Sequence, residues 1–214
     1  MRPAPTNGGG LSTLTARDAM WDQRYSSDTY VYGTQPNGFL VTAAARLPTG
    51  KVLCLGEGEG RNAVWLAAQG LEVTAVDSSG VGLQKAQRLA AERGVEITTV
   101  HADLAAFDIE PGAWDGIVSI FCHLPPVLRA DVHRRCVAGL RPGGVLLLEA
   151  YTPRQVGLGT GGPPTAELMM DAETLRAEFA GLELLELREC QREVHEGEFH
   201  NGLGAVVQLV ARRP

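Results

Sequence analysis

The 214-residue sequence lacks several features that would place it in common classes of protein. No apolar run approaches the length of a membrane span and no signal-peptide pattern is visible, so we expect a cytoplasmic protein without a membrane partner. The four cysteines are scattered, with no Cys-x-x-Cys pair, which predicts buried thiols and no metal site. The net charge is −6 and there is no block of lysines and arginines, which argues against a nucleic-acid partner.

The apolar content is that of an ordinary globular protein, and the length suits one α/β domain with a full core. Residues 1–14 are rich in Pro, Gly, Ser and Thr, which predicts a disordered leader before a single domain at 15–214. Within that domain, residues 15–48 are predicted to form an N-terminal helical cap. The stretch 151–170 is predicted to be a mobile loop, because long loops rich in Gly and Pro are usually functional or mobile.

Apolar runs alternate with helical patterns from Val52 to Ala150, which predicts a doubly wound parallel sheet. Two extended runs, Leu182–Val194 and Gly202–Arg212, follow and are predicted to pair antiparallel at one edge of that sheet. The predicted fold class is therefore α/β, with a single seven-stranded, mostly parallel sheet whose last strand is antiparallel.

Residues 51–77 have the pattern strand, glycine turn, helix, strand and acid, which is the first half of a nucleotide-binding α/β unit. The turn, Gly56–Gly60, has the spacing Gly-x-Gly-x-Gly, which lets the backbone bend sharply and a ligand approach it closely. Asp77, at the end of the second strand, is placed to accept hydrogen bonds from a ribose diol. A dinucleotide fold would need glycine where this sequence has Arg61, and no Walker lysine is present.

Five phrases of the sequence are typical of one family of enzymes. They are Trp21–Tyr25, Tyr32–Asn37, Gly56–Asn62, Gly161–Pro163 and Glu196–Gly202. On these phrases the chain resembles class I S-adenosylmethionine-dependent methyltransferases from about residue 16 to its end. Within that class it resembles the tellurite-resistance (TehB-like) and thiopurine-type small-molecule methyltransferases. The resemblance implies the Rossmann-like methyltransferase fold, methyltransferase activity and S-adenosylmethionine as the cofactor.

The resemblance also assigns parts of the cofactor to particular residues. The glycine turn would hold the methionine part, Asp77 and Ser78 the ribose, and Asp103 with Leu104 the adenine. The predicted cofactor-binding residues are Tyr25, Gly56, Glu57, Gly58, Gly60, Asn62, Asp77, Ser78, Asp103, Leu104 and Phe121.

Several of these assignments have a structural alternative. Many class I enzymes carry an acid two residues before the first glycine, where this sequence has Cys54, so either Glu57 or Glu59 replaces that charge or both lie on a solvated loop face. Asp103 alternatively caps a turn. Arg61 is expected to pair with Glu57 or Glu59, or to reach an anionic acceptor.

The aromatic residues of the N-terminal cap allow two interpretations of equal weight. Trp21, Tyr25 and Tyr32 either wall the ligand pocket or pack the cap onto the edge of the sheet.

Methyl transfer from a sulfonium has a neutral thioether as leaving group, so the protein's main task is to align acceptor and methyl group and to exclude water. His123, in the turn after the fourth strand, is predicted to orient the acceptor or take its proton. The alternative is that it caps the following helix or hydrogen-bonds within the turn. His200 and Arg154 are the other predicted catalytic residues. For both, and for Arg192 and His195 on the same segments, a solvated surface position is the alternative.

The sequence therefore predicts an enzyme that methylates a small, soft or anionic acceptor, such as a thiol, a selenium or tellurium oxyanion, or a thiopurine-like compound. Two alternatives stay open. One is a nucleic-acid or protein methyltransferase on the same fold, and the other is a non-catalytic cofactor-binding module. The acceptor itself and the oligomeric state are not encoded in any motif.

Overall fold

The computed structural model describes the backbone of residues 16–214 and the side chains of residues 19–214, so the predicted leader at 1–14 lies outside the described residues. No helix within residues 16–214 is both long and apolar enough to cross a membrane. The α-helices are α1 Ala16–Arg24, α2 Gly38–Ala43, α3 Arg61–Ala68, α4 Gly80–Glu92, α5 Pro126–Gly139 and α6 Ala172–Glu178. Short 3-10 helices span Ala44–Arg46, Pro153–Gln155 and Ala166–Leu168. The strands are β1 Lys51–Leu55, β2 Glu72–Asp77, β3 Thr98–His101, β4 Trp114–Ile120, β5 Leu140–Tyr151, β6 Glu183–His195 and β7 Asn201–Arg212.

The seven strands form one sheet in the order β3-β2-β1-β4-β5-β7-β6. Neighbours among β1 to β5 are parallel, and β7 runs antiparallel to both β5 and β6. The predicted α/β fold, with the last strand reversed, is therefore confirmed. The chain order reverses at β1, which lies between β2 and β4, and ligands of such sheets bind outside the carboxyl ends of the strands at this point.

The core lies on both faces of the central strands. Alternate residues of a strand point to opposite faces. Leu53 and Ile117 accordingly belong to an apolar cluster that α5 and α6 cover, while Cys54 and Val118 belong to a second cluster covered by α2, α3 and α4. Burial on both faces explains why β1 and β4 contain nearly continuous apolar runs.

Two strand boundaries differ from the prediction. The Arg-Pro-Gly-Gly phrase at 141–144, which is typical of a turn, lies within β5. This strand begins at Leu140 and contains a register shift opposite Trp114 and Gly116. Residues 141–144 are therefore an irregularity within a longer strand, and Gly143 adopts the left-handed conformation with φ 80°. The apolar run at 95–100 predicts a third strand from Val95, but the strand begins at Thr98, because the Val95 amide still bonds to the Ala90 carbonyl at the end of α4.

The N-terminal cap, residues 16–48, is attached to the sheet by a buried lysine. Lys85 in α4 is 4% exposed and donates from Nζ to the carbonyl oxygens of Tyr25, Ser27 and Thr29. The same ammonium group forms an ion pair with Glu59 of the glycine turn. One charged group therefore holds the cap and the glycine turn together.

The hairpin of β6 and β7 reaches the cap from the other side of the molecule. At its tip, the Glu198 backbone amide donates to the Val31 carbonyl at 2.9 Å. The loop at 151–170 is attached by Gln155, whose side chain is buried and bonds to Thr160, Gly161 and the Ala205 amide. The mobility of this loop stays a prediction, and any movement has to break these bonds.

The cysteines divide into two pairs by exposure. Cys54 and Cys136 are buried, as predicted, and burial raises the pKa of both thiols. Cys122 and Cys190 are half-buried, so their thiols are the more accessible pair.

Candidate functional site

The glycine turn between β1 and α3 requires glycine at three positions. Gly56, Gly58 and Gly60 have φ angles of 59°, 60° and 90°, in the region that disfavours residues with a side chain. Space is also missing, since a Cβ at Gly56 would lie 2.8 Å from the Cys122 sulfur and one at Gly58 would lie 2.6 Å from the Tyr25 hydroxyl. The backbone of the turn is therefore bare by steric necessity.

Asp77 meets this turn directly. Its carboxylate accepts hydrogen bonds from the Gly58 and Ser79 amides, each at 2.8 Å, and the side chain is buried. Desolvation raises the pKa of Asp77, while these two amides act in the opposite direction. A carboxylate has about four acceptor positions, so two remain for a ligand diol. The predicted convergence of the glycine turn and the acid is thus present.

The two glutamates of the turn have structural partners, and the interpretation as a solvated loop face is wrong for both. Glu57 accepts from the Asn62 and Ala63 amides at 3.0 and 2.8 Å and so caps the first turn of α3. Desolvation raises the pKa of Glu57 to about 7, against the lowering effect of these amides. Glu59 is buried, pairs with Lys85 and accepts from a backbone amide of the cap.

Arg61 does not pair with either of these glutamates. It is buried, and its Nη2 lies 2.6 Å from Oε2 of Glu196 at the tip of the β6–β7 hairpin. The expected partner was wrong because burial of Arg61 turns it away from the turn, toward the hairpin. An ion pair therefore crosses from the start of α3 to the far edge of the sheet.

A buried polar network extends this ion pair. Glu149 on β5 is fully buried and accepts from Arg192, Gln208 and Asn37, the last at 2.6 Å. Asn37 also donates to Glu196 at 2.9 Å, while its backbone amide bonds to the Asn62 side chain, which fixes that predicted cofactor residue. Glu149, Gln208 and Asn37 were not predicted as functional; the only signal in the sequence is a carboxylate inside an apolar strand.

The predicted adenine and ribose residues follow the neighbouring strands. Asp103 lies just after β3 and its Oδ1 accepts from the Ala105 amide at 2.8 Å, as in the turn-cap alternative. Leu104 is buried in the core. Ser78 follows Asp77, and its carbonyl contacts the His101 ring at 2.9 Å. These residues lie at the same edge of the sheet as the glycine turn, and their contacts with a cofactor stay a prediction.

The aromatic residues of the cap pack against one another beside the turn. Trp21 stacks on Tyr25 with ring centroids 5.6 Å apart, and Tyr25 meets Tyr32 edge-on at 6.3 Å. Tyr25 is 5% exposed, and burial with the nearby Asp77 charge raises its hydroxyl pKa, so the group stays protonated. Tyr32 in turn contacts His200 at 4.7 Å. The rings therefore pack the cap together beside the glycine turn, and their role as a wall of the ligand pocket stays a prediction.

Phe121 is the one non-glycine residue with positive φ in the described part of the chain, at 52°. Such a conformation costs of order 1 kcal/mol and is typical of functional sites. The ring stacks on Tyr151 at 4.6 Å and meets His200 edge-on at 4.7 Å. Strain at the end of β4 therefore positions an aromatic wall beside the glycine turn.

His123 is bonded through both ring nitrogens. Nδ1 is 3.0 Å from the Leu168 carbonyl, and Nε2 is 3.4 Å from the Tyr151 amide. This arrangement requires the neutral ring with its proton on Nδ1, and burial lowers the pKa of His123 to about 4. Both partners lie outside the turn after β4, so through these bonds His123 neither bonds within that turn nor caps α5. A direct role toward an acceptor stays a prediction.

His200 lies inside the aromatic enclosure, which consists of Tyr32, Phe121, Tyr151 and His200 itself. It is 8% exposed, so the alternative of a solvated surface position is wrong. Burial, followed by the Arg61 charge, lowers the pKa of His200 to about 3. The ring is therefore neutral at physiological pH.

The remaining predicted residues divide between the surface and the network. Arg154 is exposed and lines a cavity together with Glu189 and Cys190. Neither His123 nor His200 lines this cavity. His195 is exposed as well. Arg192 belongs to the buried network, where the Glu149 and Glu196 carboxylates hold its guanidinium, so the surface alternative is wrong for it.

The residues at this edge fit S-adenosylmethionine. The three glycines leave a backbone without side chains, Asp77 retains acceptor positions, and Phe121 presents a ring at the end of β4. These are the features that an adenosyl group with a methionine tail needs: a diol acceptor, a close backbone approach and an apolar wall. Within residues 16–214 no cluster of three His, Cys, Asp or Glu side chains could hold a metal ion.

Comparison with known proteins extends these observations. Residues 52–144 match the family model described as "Methyltransferase domain". No curated protein sequence matches the chain. The predictions of a methyltransferase, and of S-adenosylmethionine as its cofactor, are confirmed by the domain match at the level of the domain.

Solved structures show the same fold. The structure reported for the conversion of a disulfide bond into a thioacetal group during echinomycin biosynthesis is 20% identical, with 92% of both chains covered and a TM-score of 0.73. TehB from Haemophilus influenzae is 22% identical over 92% of this chain and 67% of its own, with a TM-score of 0.69. The [4+2]-cyclase SpnF is 18% identical over 92% and 95%, with a TM-score of 0.70. Residues 52–144 therefore match a methyltransferase domain, and the chain as a whole has a fold similar to that of TehB and the other solved structures.

Proposed function

We propose that the protein transfers the methyl group of S-adenosylmethionine to a small, soft or anionic acceptor in the cytoplasm. The observation that carries this proposal is the direct contact of the bare glycine turn with Asp77, next to the aromatic enclosure at the end of β4. The glycine turn and Asp77 would hold the cofactor, and the aromatic enclosure would hold the acceptor. A thiol, a selenium or tellurium oxyanion, or a thiopurine-like compound fits this description, and a tellurium oxyanion as acceptor would give a tellurite-resistance role.

The residues would divide the work as follows. When bound, the cofactor supplies an electrophilic methyl group and leaves as a neutral thioether. Asp77 and the glycine turn would fix its position, while Phe121 and Tyr151 would exclude water from the space beside it. No strong base is needed for an acceptor that is already anionic, which agrees with the low pKa values of His123 and His200.

The enclosure favours a small acceptor. The His200 ring has aromatic neighbours on three residues, with centroid distances between 4.7 and 5.3 Å. The hairpin tip and the cap meet above it through the Val31–Glu198 bond. A nucleic acid or a protein side chain on its backbone would have to displace this contact, so those acceptors are disfavoured. The chain's acidic balance points the same way.

A second candidate function is chemistry other than methyl transfer on the same cofactor-binding fold. The observation that favours it is the likeness to SpnF, which is a [4+2]-cyclase, since a fold does not fix the reaction of its site. A module that binds the cofactor without catalysing any reaction is the extreme form of this second candidate.

The test has two arms. Calorimetric titration with S-adenosylmethionine and S-adenosylhomocysteine measures cofactor binding, for which we expect micromolar affinity. A cofactor-consumption screen then covers thiols, selenite, tellurite, thiopurines and halides. Binding with turnover of at least one of these acceptors is expected. Binding without turnover of any would support the second candidate, and absence of binding would overturn the proposal.

A further inference from the structure

Three buried polar atoms near the aromatic enclosure have no hydrogen-bond partner among the described residues. They are Nη1 of Arg61, the hydroxyl of Tyr151 and Nδ1 of His200. The three residues are 7%, 0% and 8% exposed. Burying an unpaired polar group costs about 1–3 kcal/mol, so each atom indicates a missing partner. We refer to these three residues as the donor triad.

The members of the donor triad are close together. The Tyr151 and His200 rings have centroids 5.3 Å apart. Arg61 reaches the same hairpin tip, because its partner Glu196 donates its backbone amide to the His200 carbonyl at 2.8 Å. The loop after β5 closes over them, because a Cβ at Gly161 would lie 2.9 Å from the His200 ring and 3.0 Å from the Tyr151 hydroxyl.

Glu196 occupies only one side of Arg61. Its Oε2 lies 2.6 Å from Nη2, which leaves Nη1 and its hydrogens unpaired. The neighbouring Arg192 differs, since Nε, Nη1 and Nη2 all donate to oxygen atoms. The unpaired nitrogen of Arg61 is therefore a particular feature of this position and not of the network.

We propose that Arg61, Tyr151 and His200 form a hydrogen-bonding site for an anionic oxygen group of the methyl acceptor, and that Arg61 and Tyr151 determine specificity for it. The inference rests on the proposed function, because it assigns an acceptor to the same site. Arg61 can only donate, and the Tyr151 hydroxyl can donate as well, so an oxygen with several lone pairs satisfies both. A charge-assisted bond from a guanidinium to such an oxygen is among the stronger hydrogen bonds in proteins.

The test compares two thiols that differ in one group. Mercaptoacetate has a carboxylate and 2-mercaptoethanol has a neutral hydroxyl in its place. Each is titrated by calorimetry into the protein saturated with S-adenosylhomocysteine, so the measurement does not depend on turnover. We expect the wild type to bind mercaptoacetate at least about tenfold more tightly than 2-mercaptoethanol.

Tyr151→Phe separates a ligand role from a structural one. It removes an unpaired hydroxyl, so the melting temperature should stay the same or rise. Mercaptoacetate binding should weaken by about tenfold, while 2-mercaptoethanol binding changes little. Arg61→Lys keeps the charge beside Glu196 but lacks the second guanidinium nitrogen, and should reduce the preference for the carboxylate in the same way. Tyr30→Phe is the matched control, since the Tyr30 hydroxyl bonds to the Lys85 carbonyl outside the donor triad.

Equal binding of the two thiols by the wild type would overturn this inference, as would an unchanged preference in Tyr151→Phe. A clear fall in melting temperature in Tyr151→Phe would assign the hydroxyl a structural role and also overturn it. In each of these cases S-adenosylhomocysteine still binds, and the proposed function stands. Absence of S-adenosylhomocysteine binding is the separate result that defeats the proposed function and, with it, this inference.

Discussion

Arg61 and Glu196 form a buried ion pair, 2.6 Å between Nη2 and Oε2, that joins the start of α3 to the tip of the β6–β7 hairpin. Both side chains are less than a tenth exposed. The glycine turn and the hairpin, which are far apart in sequence, are thereby connected through one contact. Removing one member of such a pair leaves the other as an uncompensated buried charge.

Glu196→Gln should therefore destabilise the protein by about 3 kcal/mol, because Arg61 loses its carboxylate and Arg192 loses one of its two. The free energy of unfolding in urea, with the slope m as a check on two-state behaviour, measures this effect. Glu193→Gln is the matched control near the end of β6, three residues before Glu196, where the side chain is 63% exposed. It should change stability by no more than about 0.5 kcal/mol. Equal effects of the two substitutions would show that the buried pair contributes no more than a surface charge.

Asp77→Asn should weaken binding of S-adenosylhomocysteine by about ten- to hundredfold, because an amide replaces a charged acceptor of the ribose hydroxyls. Calorimetric titration gives the dissociation constant. Asp115→Asn is the control: Asp115 accepts from Lys51 and Arg141 near the amino end of β4, at the opposite edge of the sheet. An unchanged dissociation constant in Asp77→Asn would mean that the ribose site lies elsewhere.

His123→Ala should lower turnover while the affinity for S-adenosylhomocysteine stays nearly intact. The reason is that His123 connects the Leu168 carbonyl to the Tyr151 amide. Without this ring, Tyr151 loses a contact that holds it beside the acceptor. The turnover number with the best acceptor from the screen and the calorimetric dissociation constant are the two measurements. His195→Ala, at an exposed hairpin position, should leave both unchanged. A large loss of cofactor affinity in His123→Ala would show that His123 contributes to the cofactor site and not to the acceptor site.

Glu57→Gln should make the protein more stable at high pH than at low pH, relative to the wild type. The folded pKa of Glu57, about 7, is raised above its ordinary value of 4.5, so the folded state holds this proton more tightly. The stability that Glu57 contributes is thus fully present below pH 4.5 and is lost as the pH rises to about 7. The amide has no charge to desolvate and keeps an acceptor for the Asn62 and Ala63 amides.

The difference in unfolding free energy between Glu57→Gln and the wild type should accordingly rise by about 1–3 kcal/mol between pH 4.5 and 7.5. Urea titrations at four pH values across this range measure it. The Asp77 charge is one cause of the raised Glu57 pKa, so the difference includes this coupling. A difference that stays constant from pH 4.5 to 7.5 would show that the Glu57 carboxyl keeps its ordinary pKa.

The sheet could be predicted because its signals are local. A glycine at every second position, an acid closing the next strand and apolar runs of strand length each depend on a few neighbouring residues. The same is true of the Ser79 cap of α4, where the side chain accepts from Gly82 at 3.0 Å. The β5 boundary failed because an Arg-Pro-Gly-Gly phrase indicates a turn, while pairing with β4 and β7 keeps it in the sheet.

The polar network could not be predicted for the opposite reason. Asn37 and Glu196 are 159 residues apart, and nothing near either residue indicates that they meet. Arg61 was expected to pair with Glu57 or Glu59, or to reach an anionic acceptor, whereas in the structure it pairs with Glu196. Glu59 pairs with Lys85 instead. Charged residues beside a glycine turn therefore say little about their partners until the strand order is known.

The four thiols have one more consequence, which concerns how the molecule opens. Cys54 is wholly buried in β1, whereas Cys122 is half-buried and close to Gly56. A thiol reacts as the thiolate and only when a reagent reaches it, so modification of Cys54 should follow global unfolding, and that of Cys122 the local opening of the turn. The modification rates of Cys54 and Cys122 therefore report two different motions. A ligand bound at the turn should slow the modification of Cys122 by far more than that of Cys54.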